Sequence, residues 1–357
     1  MSNTKLSILA IVAVIMVLLA VGVSRVQKKA PSISELRYLI GSLNPDQIES
    51  VVLTGSGKTI TLDRKGKGFQ LADKSNYPAD ISKINDLITA STEIKIGEVY
   101  TSDTSNHADL GVTKETAASV LTFLKADNSA VASVLIGNTK KQGNGTYVRL
   151  ANSNDVYVTL NDTSINMNTM NYIDSNITGA VNRDDVVSVM VTSGEEGYKL
   201  VPAEDGRIKL KPLEQGRTLN ETAAAGVLTA ISYLQATDVL KSQTGLDFTK
   251  SFLCQMNDST VYTVNIAEKN EKYFVKVYAE YTGKLPTKDR TREETEEELK
   301  EKEAKFLARD AAINFTTKHN GWIYEITSYA AGNMTKPLEE LLEEVEEPEV
   351  EKAETTE

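Results

Sequence analysis

The chain has 357 residues, 40% hydrophobic and 25% charged, with a formal net charge of −11 and one cysteine. That length suggests about two domains able to bury a core, and a lone cysteine excludes an intrachain disulfide and so the disulfide-stapled class. From Leu338 onward there are ten glutamates and one lysine, −9 of the −11, so the body is near neutral and lacks the basic stripe that nucleic acid requires.

The first element is apolar. Leu6 to Val23 reads LSILAIVAVIMVLLAVGV, without a charge. As a helix it would span roughly 27 Å, close to a bilayer core. It predicts a transmembrane anchor within residues 1–30, with membrane contact through Leu6–Val23. A cleaved signal peptide is the competing reading, since Ala20 and Gly22 form a weak small-x-small site, but the run exceeds the usual core of ~7–15 residues. Lys5 precedes the run; Arg25, Lys28 and Lys29 follow it. Counted alone, these charges would keep the body cytoplasmic, although long domains cross despite such a bias.

The body reads as one pattern written twice. Asn44-Pro45-Asp46-Gln47-Ile48-Glu49-Ser50-Val51-Val52 is echoed by Asn182-Arg183-Asp184-Asp185-Val186-Val187-Ser188-Val189-Met190. Each opening strand is followed by a second (Thr59–Leu62; Tyr198–Val201) and a third (Phe69–Leu71; Ile208–Leu210). Each copy then has a helix. Asp80 caps the first, with Ile81, Ile84, Leu87 and Ile88 at helical spacing; Asn220 caps the second, with Ala224, Val227, Leu228, Ile231 and Leu234 on one face. Lys83 and Ser232 fall on the outer faces. Further strands follow: 98–100, 119–124, 131–136, 147–150 and 156–160 in the first copy, and 238–240, 252–256, 261–266, 273–278 and 322–326 in the second. Their β-branched and aromatic residues suit a pleated, half-buried surface. Short helices near 165–172 and 334–342 close the copies. The expected fold is α+β: two related modules, 44–177 and 181–342, each an antiparallel or mixed sheet packed with a helix.

The second module carries an insert. Residues 288–315 are rich in Glu, Lys, Arg and Ala, with Leu299, Phe306 and Ile313 seven apart. This predicts a long, solvated helix or helical hairpin whose narrow apolar stripe packs on the body. A docking arm for another protein is the alternative. Residues 343–357 read as an acidic, disordered tail.

Few residues suggest chemistry. Gly55-Ser56-Gly57-Lys58-Thr59 resembles the end of a phosphate-binding loop, but the first glycine of that pattern would fall at Val52, inside a strand, so a hairpin turn is expected. His107 and His319 are the only histidines. Neither has neighbours at metal spacing, and both read as surface residues. Cys254 sits in an alternating strand without a flanking base. Asp184-Asp185 matches Asp46 as a turn element. The expectation is therefore no catalytic residue, no metal site and no cofactor.

Several motifs together resemble a family: Gly68-Phe69-Gln70-Leu71, Tyr77-Pro78-Ala79-Asp80 before a helix, Leu110-Gly111-Val112, Leu135-Ile136-Gly137, Thr146-Tyr147-Val148 and Val156-Tyr157-Val158, with the late Gly321-Trp322-Ile323-Tyr324-Glu325-Ile326. The chain resembles the bacterial family described as domain of unknown function 4340. Phe69 stands where many members carry Trp. The resemblance implies a body anchored outside the cytoplasm, and some members resemble accessory proteins of gliding-type ABC transport systems. No catalytic residues carry over. The expected function is a non-enzymatic accessory or scaffold protein of a membrane assembly, with ABC transporter subunits as candidate partners and no nucleic acid. The alternative is an extracytoplasmic ligand-binding module using a cleft between the modules.

Overall fold

A computed structural model describes residues 37–179, 181–203, 205–211, 216–241, 245–287 and 294–344. The run Leu6–Val23, the start of the insert and the tail beyond Glu344 lie outside the described residues. Among the described residues no helix is long and apolar enough to cross a membrane.

In chain order the elements are β1 (Arg37–Tyr38), β2 (Ser50–Gly55), β3 (Lys58–Lys65), β4 (Gly68–Leu71), β5 (Tyr77–Pro78), α1 (Ile81–Thr92), β6 (Lys95–Thr101), β7 (Ser119–Leu124), β8 (Ala130–Thr139), β9 (Thr146–Leu150) and β10 (Val156–Thr159). There follow β11 (Val186–Ser193), β12 (Glu196–Pro202), β13 (Ile208–Lys211), β14 (Arg217–Leu219), α2 (Glu221–Thr229), β15 (Asp238–Leu240), β16 (Lys250–Met256), β17 (Thr260–Lys269), β18 (Lys272–Tyr281), α3 (Glu296–His319), β19 (Ile323–Ile326), α4 (Ser328–Met334) and β20 (Leu342–Glu344). The fold is α+β with large antiparallel sheets. The chain forms two compact units: Met1–Arg64 with Ile84–Met167, and Lys65–Lys83 with Asn168–Glu357.

The first unit holds strands in the order β1-β6-β10-β9-β8-β7-β2-β3. Alternation explains β2 and β3: Val51, Leu53, Ile60 and Leu62 are buried, and each pairs with a buried partner across the hairpin. The hairpin turns at Ser56 and Gly57, with φ of 51° and 71°. A two-residue turn with both φ positive matches the twist of its strands, so the glycine-rich stretch is a turn. The run Val134-Leu135-Ile136 is buried on both faces. One cover is the Leu110–Val112 turn: Asn138 N–H donates to Leu110 O at 3.0 Å, and Arg149 Nε–H to Val112 O at 2.9 Å. In α1, Ile84 and Ile88 are buried, while Ile81 at the first helical position is exposed.

The second unit has the order β13-β12-β11-β16-β17-β18-β19-β15. Seven of its strands, β12-β11-β16-β17-β18-β19-β15, take the same order as β3-β2-β7-β8-β9-β10-β6 of the first unit. The openings also match. Asn44 Oδ1 accepts from Asp46 N–H at 3.0 Å and Asn182 Oδ1 from Asp184 N–H at 3.2 Å, each capping a single 3-10 turn before the strand. Asn220 Oδ1 caps α2 by accepting from Ala223 N–H, and Ala224, Val227 and Leu228 are buried where α2 packs over β11 and β13. The helix then tightens into a 3-10 turn at Ala230–Tyr233. With about three residues per turn, Ser232 swings inward and is buried rather than exposed.

The hairpin of β4 and β5 belongs to this second unit. Lys74 Nζ meets Asp238 Oδ1 at 2.5 Å, Tyr77 packs on β19, and Asp80 N–H donates to Tyr172 O. Asp238 lies directly opposite Glu325 across β15 and β19. Like charges so placed repel; Lys74 offsets one and Lys272, 2.9 Å from Glu325, the other.

Within the insert, α3 runs for 24 residues behind a capping box of Thr295 and Glu298. Its stripe does not pack inward. Leu299, Phe306 and Ile313 are 51%, 38% and 54% exposed, and the helix rests on β18 through Ala308, Ala312 and Thr316. The reason lies in the strand. β18 pairs with β19 only over Tyr273–Val275, leaving backbone groups further along its edge. Thr316 Oγ1 accepts from Ala279 N–H at 2.8 Å and donates to Ala279 O at 2.7 Å. Such edge groups need partners, and small residues let the helix approach close enough to supply them. The tail also begins differently from expectation: Leu342–Glu344 is a strand paired with β14, Arg217 opposite Glu344.

Candidate functional site

A buried polar and aromatic cluster of the second unit surrounds the end of α3. Both histidines are buried, at 5% for His107 and 3% for His319, where surface positions were expected. His107 Nε2 is bonded to Asn154 O at 3.0 Å and ties a loop together. His319 has richer surroundings. Its Nδ1 lies 2.7 Å from the Tyr324 hydroxyl, and that hydroxyl lies 3.4 Å from the Tyr77 hydroxyl. Phe315 stacks beside His319 with ring centres 4.4 Å apart, and Tyr262 meets Phe315 edge-on at 5.1 Å. Trp322 meets Tyr77 edge-on at 4.8 Å.

Burial controls the electrostatics. Desolvation, with the Lys318 charge adding to it and Asp174 opposing, pushes His319 down to about 4, so the imidazole is neutral at ordinary pH. Desolvation raises Tyr77 and lifts Tyr324 far above the ordinary phenol range. All three groups therefore exchange hydrogen bonds as neutral species. A buried polar chain of this kind holds its members in register when each is satisfied.

Two depressions flank the chain. One, of about 280 Å³, is lined by Tyr77, Pro78, Ala79, Asp80, Asp174 and Lys318; Lys318 pairs with Asp174 at 3.2 Å. The other, of about 310 Å³, is lined by Lys241, Lys276, Val277, Tyr278, His319, Asn320, Gly321, Trp322 and Ile323. Lys241 Nζ stands 4.1 Å from the centre of the Trp322 ring, and Lys276 Nζ 4.4 Å from that of Phe248. The turn Asn320–Gly321, with Gly321 at φ 77°, carries the chain from α3 into β19 and sets His319 and Trp322 on one wall.

The other residues weighed from sequence play structural parts. Cys254 is fully buried in β16, and burial pushes its thiol up to about 12. Asp184 and Asp185 sit in the capped turn before β11, with Asp185 accepting from Asn257. Among the described residues no group of three or more His, Cys, Asp or Glu is placed to hold a metal ion. What sequence reasoning missed is the meeting of Tyr77 with Trp322 and Tyr324. Both stretches stood out as motifs, but nothing in their spacing signalled contact.

No curated protein and no solved structure matches the chain significantly. The family described as domain of unknown function (DUF4340) matches residues 70–249, half of the chain. The match runs from β4, whose hairpin carries Tyr77, to the loop that enters β16. On that match the chain belongs to the DUF4340 family.

Proposed function

We propose that this protein is a membrane-anchored, extracytoplasmic accessory or scaffold protein of a membrane assembly, of the ABC transport type, and that it does no chemistry itself. Leu6–Val23 is the anchor in this reading. The observation that carries it is the outward face of α3. Leu299, Phe306, Leu307 and Ile313 are exposed on a helix that meets its own sheet through other residues, Ala308, Ala312, Phe315, Thr316 and His319. Large apolar side chains left in water along one helix suit a partner's groove. The common strand order of the two sheets supports a further part of the proposal, that the body arose by duplication of one module.

The test is photo-crosslinking in cells, with the reactive residue at position 306 or 313 of the full chain. Adducts should form with integral membrane proteins, transporter subunits among them, and should disappear when Leu299 and Leu307 are replaced by Ser. Adducts confined to soluble proteins, or none at either position, would remove the support.

A further inference from the structure

We propose that the depression beside Trp322 is a binding site for a phosphate-bearing ligand, held by Lys241 and Lys276. The lining contains two ammonium groups and no carboxylate. Several lysines of this unit meet carboxylates: Lys74 with Asp238, Lys250 with Glu268, Lys272 with Glu325, Lys318 with Asp174 and Lys336 with Glu340. Lys241 and Lys276 stand over aromatic faces, and among the described residues neither meets a carboxylate.

A cation over a ring at a half-open site is held more weakly than one hydrogen-bonded to an oxyanion. Exchanging the ring for a phosphate oxygen is therefore favourable. Lysine donates as a flexible point charge and suits a phosphate oxygen, whereas planar carboxylate recognition favours the arginine fork. Tyr278, 37% exposed, and Asn320 add neutral donors at the rim. The volume is near the lower end of ligand pockets, roughly 300–1,000 Å³. It leaves room for an organic substituent against Val277, Ile323 and the indole edge. His319 is neutral and neither competes for the anion nor repels it. The ligand is a phosphate ester, free in solution or on a lipid headgroup.

Trp322 is the only tryptophan in the chain, so its emission reports on this site alone. The full chain in neutral detergent is titrated with inorganic phosphate and with glycerol phosphate, against chloride at matched ionic strength. A parallel arm adds micelles containing phosphatidic acid. A saturable change in Trp322 emission is expected, as Lys241 leaves the ring. It should weaken about tenfold in Lys241→Gln and in Lys276→Gln, the loss of one charge-assisted hydrogen bond, and stay unchanged in Lys250→Gln. Saturation by the soluble phosphates identifies a free ester, and a response to the lipid alone identifies a headgroup. No response in either arm, the same response to chloride, or wild-type affinity in both lysine variants would overturn the proposal. The wild-type titration is decisive even if a variant folds poorly.

Discussion

His319 illustrates how one side chain couples the site to solution conditions. Its value when exposed is 6.5, and burial lowers it to about 4. Between those limits the unfolded chain binds a proton that the folded chain refuses. Stability from this residue is complete above pH 6.5 and is lost as pH falls toward 4, on the order of 3 kcal/mol in all. Carboxylates held low in the native state, such as Asp205 beside Arg207, add a loss of the same sign. Urea midpoints compared between wild type and His319→Gln separate the two effects: the variant should show a shallower fall over that window. Parallel curves would mean that His319 is charged in the fold. A steric prediction concerns Gly137 in β8. A methyl there would meet Gly111 O and a Val112 methyl at 2.8 Å, and Leu110 O still closer. Gly137→Ala should cost about 1–3 kcal/mol through overpacking, read as a lowered midpoint; a neutral result would show that the 110–112 turn can move aside.

At the scale of elements, the strands were legible and the packing of α3 was not. β2, β3, β16 and β17 announce themselves by alternating apolar residues, and Asn44, Asp80, Asn182 and Asn220 mark the turns and helices that they cap. In α3 the heptad of Leu299, Phe306 and Ile313 suggested an inward face, yet the contact is made by Ala308, Ala312 and Thr316. Alanines are as common on solvated faces, so only the unpaired edge of β18 reveals which side docks. Two substitutions separate these roles. Ala312→Leu should destabilise by about 1–3 kcal/mol, because the helix cannot approach the strand. Ile313→Ser should change stability by no more than about 0.5 kcal/mol and still weaken crosslinking at position 306. In α1, Ile84→Ala should cost about 2–5 kcal/mol through lost burial and a cavity, while Lys83→Ala costs little. Equal effects at 83 and 84, measured by chemical denaturation, would mean that the helix is rotated from its observed face. The burial of His319 was illegible for another reason. The hydrogen-bonded chain that His319 joins ends at Tyr77, which lies 247 residues from Tyr324, and no local pattern encodes a contact at that range.

The whole molecule joins a body built from two sheets of like order to an N-terminal run long enough to span a bilayer. If the proposed topology holds, protease added to cells with a permeable outer envelope should digest the body and leave a small membrane-embedded fragment. Removal of a short N-terminal stub alone would put the body on the cytoplasmic side. N-terminal sequencing of the mature chain should find the residues before Leu6; a start near Val23 would show that the anchor is cleaved.

Cys254 lies at the centre of the second sheet, on β16 between β11 and β17, fully buried and with its thiol held protonated. An alkylating reagent needs the thiolate and open access, so the folded state protects the only sulfhydryl in the chain. Its modification rate becomes a clock for the opening of that sheet, in the manner of amide exchange but at a single known position. A cysteine placed anywhere on the surface can therefore be labelled first, without removing the natural one. The same tube, left longer, reports how often the β16 strand becomes exposed.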